Sequence, residues 1–143
     1  MVLTYRFKKE KLDSGKYAIR PRIFVSLTGP LCSIDVPALI DSGCDVTAIP
    51  EGIAKSLGID MSGEKDQLFG FRESSDAVLS TVSITFEGKQ ERQSEQLNKI
   101  PVLVVCAKPG EEEETEIVLG IDSIFDYFDI TFKKSQNRII TKS

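Results

Sequence analysis

The sequence contains no histidine and little cysteine. Without an imidazole the chain cannot form Ser-His or Cys-His nucleophile systems, and histidine-containing zinc sites are excluded as well. The three cysteines, Cys32, Cys44 and Cys106, are odd in number and widely spaced, so neither a disulfide framework nor a CxxC metal site is indicated. Carboxylate chemistry remains as the route to hydrolysis, and we expect neither a metal nor another cofactor.

Long apolar runs and clustered basic residues are also missing. No run approaches the ~20 apolar residues of a membrane-spanning helix, and residues 1–11 turn basic too early for a secretory signal. The formal net charge is -4 and the pI is about 5.0, with lysine and arginine scattered along the sequence, whereas binding of phosphates needs them clustered. We therefore predict a cytoplasmic protein with no membrane partner and no nucleic-acid partner.

The composition and its patterning predict one mainly β domain over residues 1–143. The 41% of hydrophobic residues, in a chain of 143 residues, suffice for a sizeable core. Runs rich in Val, Ile, Thr and aromatics predict strands. These runs are Val2–Phe7, Tyr17–Leu27, Cys32–Ile40, Asp45–Ile49, Ala77–Phe86 and Ile100–Cys106. Two short helices are expected, at Pro50–Leu57 with Gly58 as its C-terminal cap and near Asp122–Tyr127.

The connections between these elements are predicted from turn chemistry. Leu12–Lys16 has the residues of a hairpin turn, with Gly15 available for a positive φ, and Thr28–Pro30 marks another reversal. Gly88–Gln96 and Pro109–Glu116 lack apolar periodicity, and we expect both to be exposed loops.

The acidic turn Asp41-Ser42-Gly43 lies between two apolar runs, Ala38–Ile40 and Val46–Ile49. A carboxylate in such a place costs free energy unless it is hydrogen-bonded, paired or used. The turn offers a carboxylate to activate water, a hydroxyl to hold neighbouring backbone and a glycine that lets a substrate backbone approach. Peptide hydrolysis by this route needs a second carboxylate, because one must act as base while the other polarises the carbonyl; such a pair shares one proton.

Leu39–Gly43 and Val118–Asp122 together resemble the two signatures of retropepsin-like aspartic proteases. With Phe128–Phe132 and Arg138–Ile140, the pattern is more similar to the cellular branch, which includes Ddi1-type and archaeal proteins, than to the viral one. The resemblance implies a single-lobe, closed β-barrel-like fold that is active as a homodimer. It implies an aspartic endopeptidase that hydrolyses peptides or unfolded proteins, with water activated between two Asp41 carboxylates.

The resemblance also implies roles for individual residues. Asp41 would be the catalytic aspartate, Ser42 would hydrogen-bond across the dimer axis, and Gly43 would offer its carbonyl to the substrate backbone. Asp45 would contact the substrate main chain. Residues 118–120 would form the strand that supports the catalytic loop.

A flap over the cleft is expected at Leu68–Ser75, and substrate contacts are expected from Phe69, Gly70 and Phe71. Cys44 departs from the small residue usual at its position, which makes the pocket floor bulkier. Ile121 replaces the arginine of viral members, as in the cellular branch.

Several of these residues could instead have purely structural roles. Asp41 alone could be a turn-capping carboxylate, Asp45 a solvated one, and Phe69 and Phe71 one packed face of a hairpin. The second Asp-Ser-Gly, residues 13–15, is expected to be an ordinary hairpin turn because no apolar strand leads into it. A single true motif therefore predicts a two-fold homodimer.

Two other functions stay open. The first is a catalytically weak or inactive retropepsin-like dimer that serves as a scaffold and binds extended polypeptide by strand addition. The second is an unrelated small β-barrel binding module, which a monomeric protein would favour.

Overall fold

The computed structural model describes residues 1–69, 74–110 and 116–143. Within them the chain forms β1 (Val2–Tyr5), β2 (Lys8–Lys11), β3 (Tyr17–Arg20), β4 (Arg22–Thr28), β5 (Ser33–Ile40), β6 (Thr47–Pro50), α1 (Glu51–Leu57), β7 (Lys65–Phe69), β8 (Ser74–Glu87), β9 (Ser94–Val105), β10 (Val118–Leu119), β11 (Asp129–Lys133) and β12 (Arg138–Lys142). The mainly β class expected from the sequence is confirmed.

Six strands form a closed ring in the order β4-β5-β10-β6-β9-β8, and β8 returns to pair with β4. Pairing of Val25–Thr28 with Ser83–Phe86 closes the ring. Within it, β10 runs parallel to β5 and antiparallel to β6, while β6 runs parallel to β9. The barrel-like closure inferred from the sequence is therefore present.

Strand alternation builds the core. In β4, Ile23, Val25 and Leu27 are buried, and the residues between them face outward, as the two-residue period of a strand requires. The Phe86 and Phe128 rings meet edge to face at 4.9 Å between centroids. That contact joins the ring of strands to the segment that leads into β11.

A second sheet, in the order β1-β12-β11, lies beside the ring. Antiparallel pairing of β1 with β12 brings the two ends of the chain together, and the Met1 amino group lies 3.3 Å from the Ser143 carbonyl oxygen. The β2–β3 hairpin turns through Gly15, whose φ is +85°. This turn matches the one predicted at Leu12–Lys16.

Helix α1 ends as expected, because Gly58 takes the left-handed conformation with φ 74°. The second predicted helix, near Asp122–Tyr127, does not form a regular helix. Ile121–Phe125 is an irregular turn in which Asp122 is extended and Ser123 has φ 72°. No helix among the described residues is long and apolar enough to cross a membrane.

Several strand predictions need correction. The run Tyr17–Leu27 is broken at Pro21, which has no N–H for a ladder. The polar strands β2 and β7 carry no apolar pattern and were missed. Strand β9 begins at Ser94, inside a segment expected to be a loop. Residues 111–115 of the other expected loop lie outside the described residues.

Candidate active site

The acidic turn follows directly after the last residue of β5, Ile40. The Asp41 carboxylate accepts a hydrogen bond from the Gly43 N–H (Oδ1···N 2.8 Å), and the Asp41 carbonyl accepts one from the Cys44 N–H at 3.2 Å. An ideal Cβ on Gly43 would lie 3.1 Å from Asp41 Oδ1. The glycine therefore allows the close approach that fixes one carboxylate oxygen.

Strand β10 supports this turn through the backbone. The Asp41 N–H donates to the Leu119 carbonyl at 3.1 Å, and the Ile121 N–H donates to the Cys44 carbonyl at 2.8 Å. The Asp122 N–H donates to the Asp45 carbonyl at 2.9 Å. Three backbone hydrogen bonds to residues 119–122 thus hold the loop from its first residue to Asp45.

Thr47 is a site residue that the sequence reasoning missed. Its buried hydroxyl oxygen accepts a hydrogen bond from the Gly120 N–H at 3.2 Å. Since a buried backbone donor without a partner is costly, this bond fixes how β10 enters the site. The only signal in the sequence was a polar residue inside the apolar run Val46–Ile49.

The Asp41 side chain is half-buried, whereas Ser42, Gly43 and Asp45 are exposed in the same loop. The salt bridges found among the described residues involve Arg22 and Lys55, not Asp41. The carboxylate is therefore held by the Gly43 N–H and left without a described cation to neutralise it. Such a group is available to a water molecule and to a second carboxylate.

Cys44 belongs to the same loop. It is a free, half-buried cysteine whose thiol donates to the Val46 carbonyl at 3.1 Å. Within the described ranges, no group of three or more His, Cys, Asp or Glu residues is placed to hold a metal ion.

The expected flap coincides with the β7–β8 hairpin. Strand β7 pairs with the first part of β8, with Leu68 opposite Ser75 and Phe69 opposite Ser74. Phe69 is therefore the last residue of β7, and with Ser74 it forms the last pair before the connection between the two strands. Gly70 and Phe71 lie outside the described residues.

The second Asp-Ser-Gly, residues 13–15, forms the β2–β3 hairpin turn, as expected. There the Gly15 N–H bonds back to the Leu12 carbonyl at 2.9 Å, and no buried strand flanks the triplet. In the part of the chain that the structure describes, one Asp-Ser-Gly follows a buried strand, and a site with two such carboxylates requires a second chain.

Comparison by sequence gave no match, either to a family model or to a curated protein. By structure, the chain is similar to a retropepsin-like aspartic protease from Rickettsia conorii. That likeness has a TM-score of 0.53 at 11% sequence identity, over 99% of this chain and 91% of the other.

Two further solved structures match with a TM-score of 0.49 each. One is the EIAV protease in complex with the inhibitor HBY-793, at 19% identity over 82% of this chain and 93% of that one. The other is the retroviral protease-like domain of Ddi1 from Leishmania major, at 11% identity over 82% and 86%. From the ring of strands and the likeness to the Rickettsia structure, we conclude that the chain has the retropepsin-like fold.

Proposed function

We propose that residues 1–143 form a single-domain subunit of a homodimeric aspartic endopeptidase that hydrolyses peptides or unfolded proteins. The observation that carries the proposal is the Asp41 carboxylate, fixed by the Gly43 N–H at 2.8 Å and left without a described cation. A carboxylate that only caps a turn has no need of the support that β10 gives this loop. The retropepsin-like fold is the second support.

In the proposed dimer, each subunit contributes one Asp41 to the two-fold axis. Two carboxylates close together share a single proton in acid, because the repulsion between like charges about 3 Å apart makes the second ionisation unfavourable. The ionised carboxylate takes a proton from water, whose oxygen attacks the peptide carbonyl carbon. The protonated partner gives its proton to the carbonyl oxygen, so a neutral gem-diol forms.

Collapse of the gem-diol then breaks the peptide bond. One carboxylate takes a proton from a diol hydroxyl as the C=O bond re-forms, and the other carboxyl protonates the leaving nitrogen. The C–N bond breaks, which yields a carboxylic acid and an amine and restores the shared proton. No protein group outside the carboxylate pair has to gain or lose a proton over the cycle.

The remaining site residues bind rather than react. Ser42, exposed on the turn, hydrogen-bonds to the partner's turn, and the Gly43 carbonyl accepts from the substrate backbone. Asp45 accepts a hydrogen bond from a substrate N–H. The β7–β8 hairpin closes over the substrate as a flap, with contacts from the segment Phe69–Phe71.

A cytoplasmic location is part of the proposal. The three cysteines are free, and a reducing compartment keeps thiols in that state.

The test is cleavage of a diverse peptide mixture between about pH 3.5 and 7, read by mass spectrometry at a concentration where the protein is dimeric. The wild type should cleave best in acid, because activity falls once both carboxylates ionise. Asp41→Asn should abolish cleavage and leave the fold and the dimer intact. Asp13→Asn, in the other Asp-Ser-Gly, is the matched control and should cleave like the wild type.

Cleavage by Asp41→Asn at the wild-type rate would overturn the proposal. If no variant cleaves and the dimer instead binds extended peptides, the protein is the scaffold that the sequence left open as the alternative.

A further inference from the structure

Five basic side chains that are scattered in the sequence line one cavity of about 820 Å³, called here the basic slot. They are Arg6, Lys8, Arg22, Lys89 and Arg138. The slot also has polar and apolar lining residues, but none of its described lining residues is acidic. In a chain with a net charge of -4, this is a marked local separation of charge.

Four of these cations have no carboxylate partner among the described residues. Arg22 is the exception, since its guanidinium donates to Glu10 and, at 2.9 Å, to Glu116. Arg6, Lys8, Lys89 and Arg138 are exposed and take part in no salt bridge that the described ranges contain. A concave surface with several uncompensated cations attracts anions.

The aromatic ring of Phe24 also lines the slot. The Lys8 and Lys89 ammonium nitrogens each lie 5.9 Å from the centroid of the Phe24 ring. That ring is 50% exposed. The two lysines therefore converge from different segments on one exposed apolar surface.

One wall of the slot is an open strand edge. Along β4, Arg22, Ile23 and Phe24 pair with β5 on one side. Strand β8 pairs with β4 only from Val25 onward, so no described strand pairs with the first three residues on the other side. All three residues line the slot.

The slot is also lined by Thr4–Lys8 and by the turn Gln136–Arg138. The Phe7 N–H donates to the Asn137 side-chain oxygen at 3.1 Å, which ties these two segments together. The slot is therefore lined both by a strand edge and by two segments that are tied to each other.

We propose that the basic slot binds an extended acidic polypeptide segment, which adds as a strand to the open edge of β4. Its Asp or Glu side chains lie against Arg6, Lys8, Lys89 and Arg138. An open strand edge presents both N–H donors and carbonyl acceptors, and an extended peptide satisfies both. A nucleic-acid backbone offers phosphate acceptors only, so the edge favours a peptide. This binding does not depend on the proposed proteolysis.

The test uses residues 1–143 with Asp41→Asn, so that a bound peptide is not cleaved. The probe is a fluorescent decapeptide of alternating Glu and Val, and affinity is read by fluorescence anisotropy at low salt. Lys8→Glu with Lys89→Glu should weaken binding roughly tenfold or more at low salt, because two charges that attract the acidic peptide are replaced by two that repel it. Lys99→Glu with Lys142→Glu makes the same charge change on exposed lysines outside the slot, and it should leave the affinity unchanged.

Changes in the peptide test its chemistry and conformation. A Gln-for-Glu peptide should bind at least about tenfold more weakly, and added salt should weaken the Glu peptide. The N–H groups of alternate residues in an extended peptide point to opposite sides, and only one set faces β4. N-methylation of that set should abolish binding, whereas N-methylation of the other set should not. Hydrogen exchange at Arg22 and Phe24 should slow when the peptide is bound, because their N–H groups point away from β5, whereas the Pro21 carbonyl faces β5.

The proposal is overturned if the Lys8→Glu/Lys89→Glu variant binds the Glu peptide as tightly as the control does. It is overturned equally if N-methylation of neither set of alternate residues weakens binding. Tighter binding of a single-stranded oligothymidylate, lost in the same variant, would reassign the slot to nucleic acid.

Discussion

Gly120 passes so close to Val46 that an ideal Cβ on the glycine would lie 2.2 Å from the Val46 carbonyl oxygen. The φ of Gly120 is -91°, which any residue adopts, so the glycine is required by space and not by conformation. The same Cβ would lie 2.8 Å from the Cys44 carbonyl oxygen. The loop that carries Asp41 therefore rests on a strand that has no room for a side chain at this point.

Gly120→Ala should destabilise the protein by about 3 kcal/mol or more, because backbone must move to admit the methyl group. The free energy of unfolding is measured by urea denaturation. Gly15→Ala is the comparison: its Cβ meets nothing within 4 Å, but φ is +85°, so about 1 to 2 kcal/mol is expected from the backbone alone. Equal losses at the two positions would refute the packing argument.

Thr47→Val should destabilise the protein by about 1–3 kcal/mol, because it keeps the shape of the side chain and removes the acceptor of the buried Gly120 N–H. Thr47→Ser keeps the acceptor and loses one methyl group, which costs about 1 kcal/mol. If Thr47 positions the Asp41 loop for the proposed cleavage, Thr47→Val should cleave peptides more slowly under conditions where it is fully folded. Thr47→Ser should keep its activity under the same conditions. Equal cleavage by both variants would reduce Thr47 to a packing role.

The strands of the ring could largely be predicted because their inward faces are apolar, as in β4 and β5. Strands β2 and β7 could not, since each lies at a sheet edge and consists mainly of polar residues. The register that sets Gly120 beneath Val46 is a tertiary relation, which no local pattern encodes. The same holds for the basic slot, whose cations come from four separate segments.

Tyr5 carries a buried hydroxyl with no described hydrogen-bond partner. Burial raises the pKa of this phenol above its ordinary value, and the charges of Glu91, Glu87 and Glu95 raise it further. The unfolded chain ionises first as the pH rises through about 10, so Tyr5 makes the folded state progressively less stable above that pH. Below it, both states hold the proton and this contribution is constant.

Tyr5→Phe should therefore leave stability at pH 7 unchanged or raise it by about 1 kcal/mol, since an unsatisfied hydroxyl is removed. Between pH 10 and 11 its advantage over the wild type should grow. The measurement is urea denaturation across this range, with Tyr17→Phe as the control at an exposed tyrosine. A constant difference at every pH would contradict the assignment.

Ile121 presents an apolar side chain, 40% exposed, directly beside the Asp41 turn. Its N–H donates to the Cys44 carbonyl at 2.8 Å, so the residue is held against the loop that the proposed dimer brings to its axis. An apolar side chain at that place gains stability when a second copy covers it. A charge there would have to be desolvated without a partner.

Ile121→Asp should weaken dimerisation at least about tenfold, equivalent to about 1.4 kcal/mol, and cleavage should fall with the dimer fraction while the monomer stays folded. Sedimentation velocity over a range of concentrations gives the dissociation constant. The control is Leu31→Asp, because Leu31 is 73% exposed and lies at the other end of β5 from Asp41. Strand β5 has 8 residues. At 3.3 Å per residue that strand spans roughly 26 Å, so Leu31→Asp should dimerise like the wild type. Wild-type dimerisation of Ile121→Asp would instead mean that the two chains meet elsewhere, and that the Asp41 turns do not face each other.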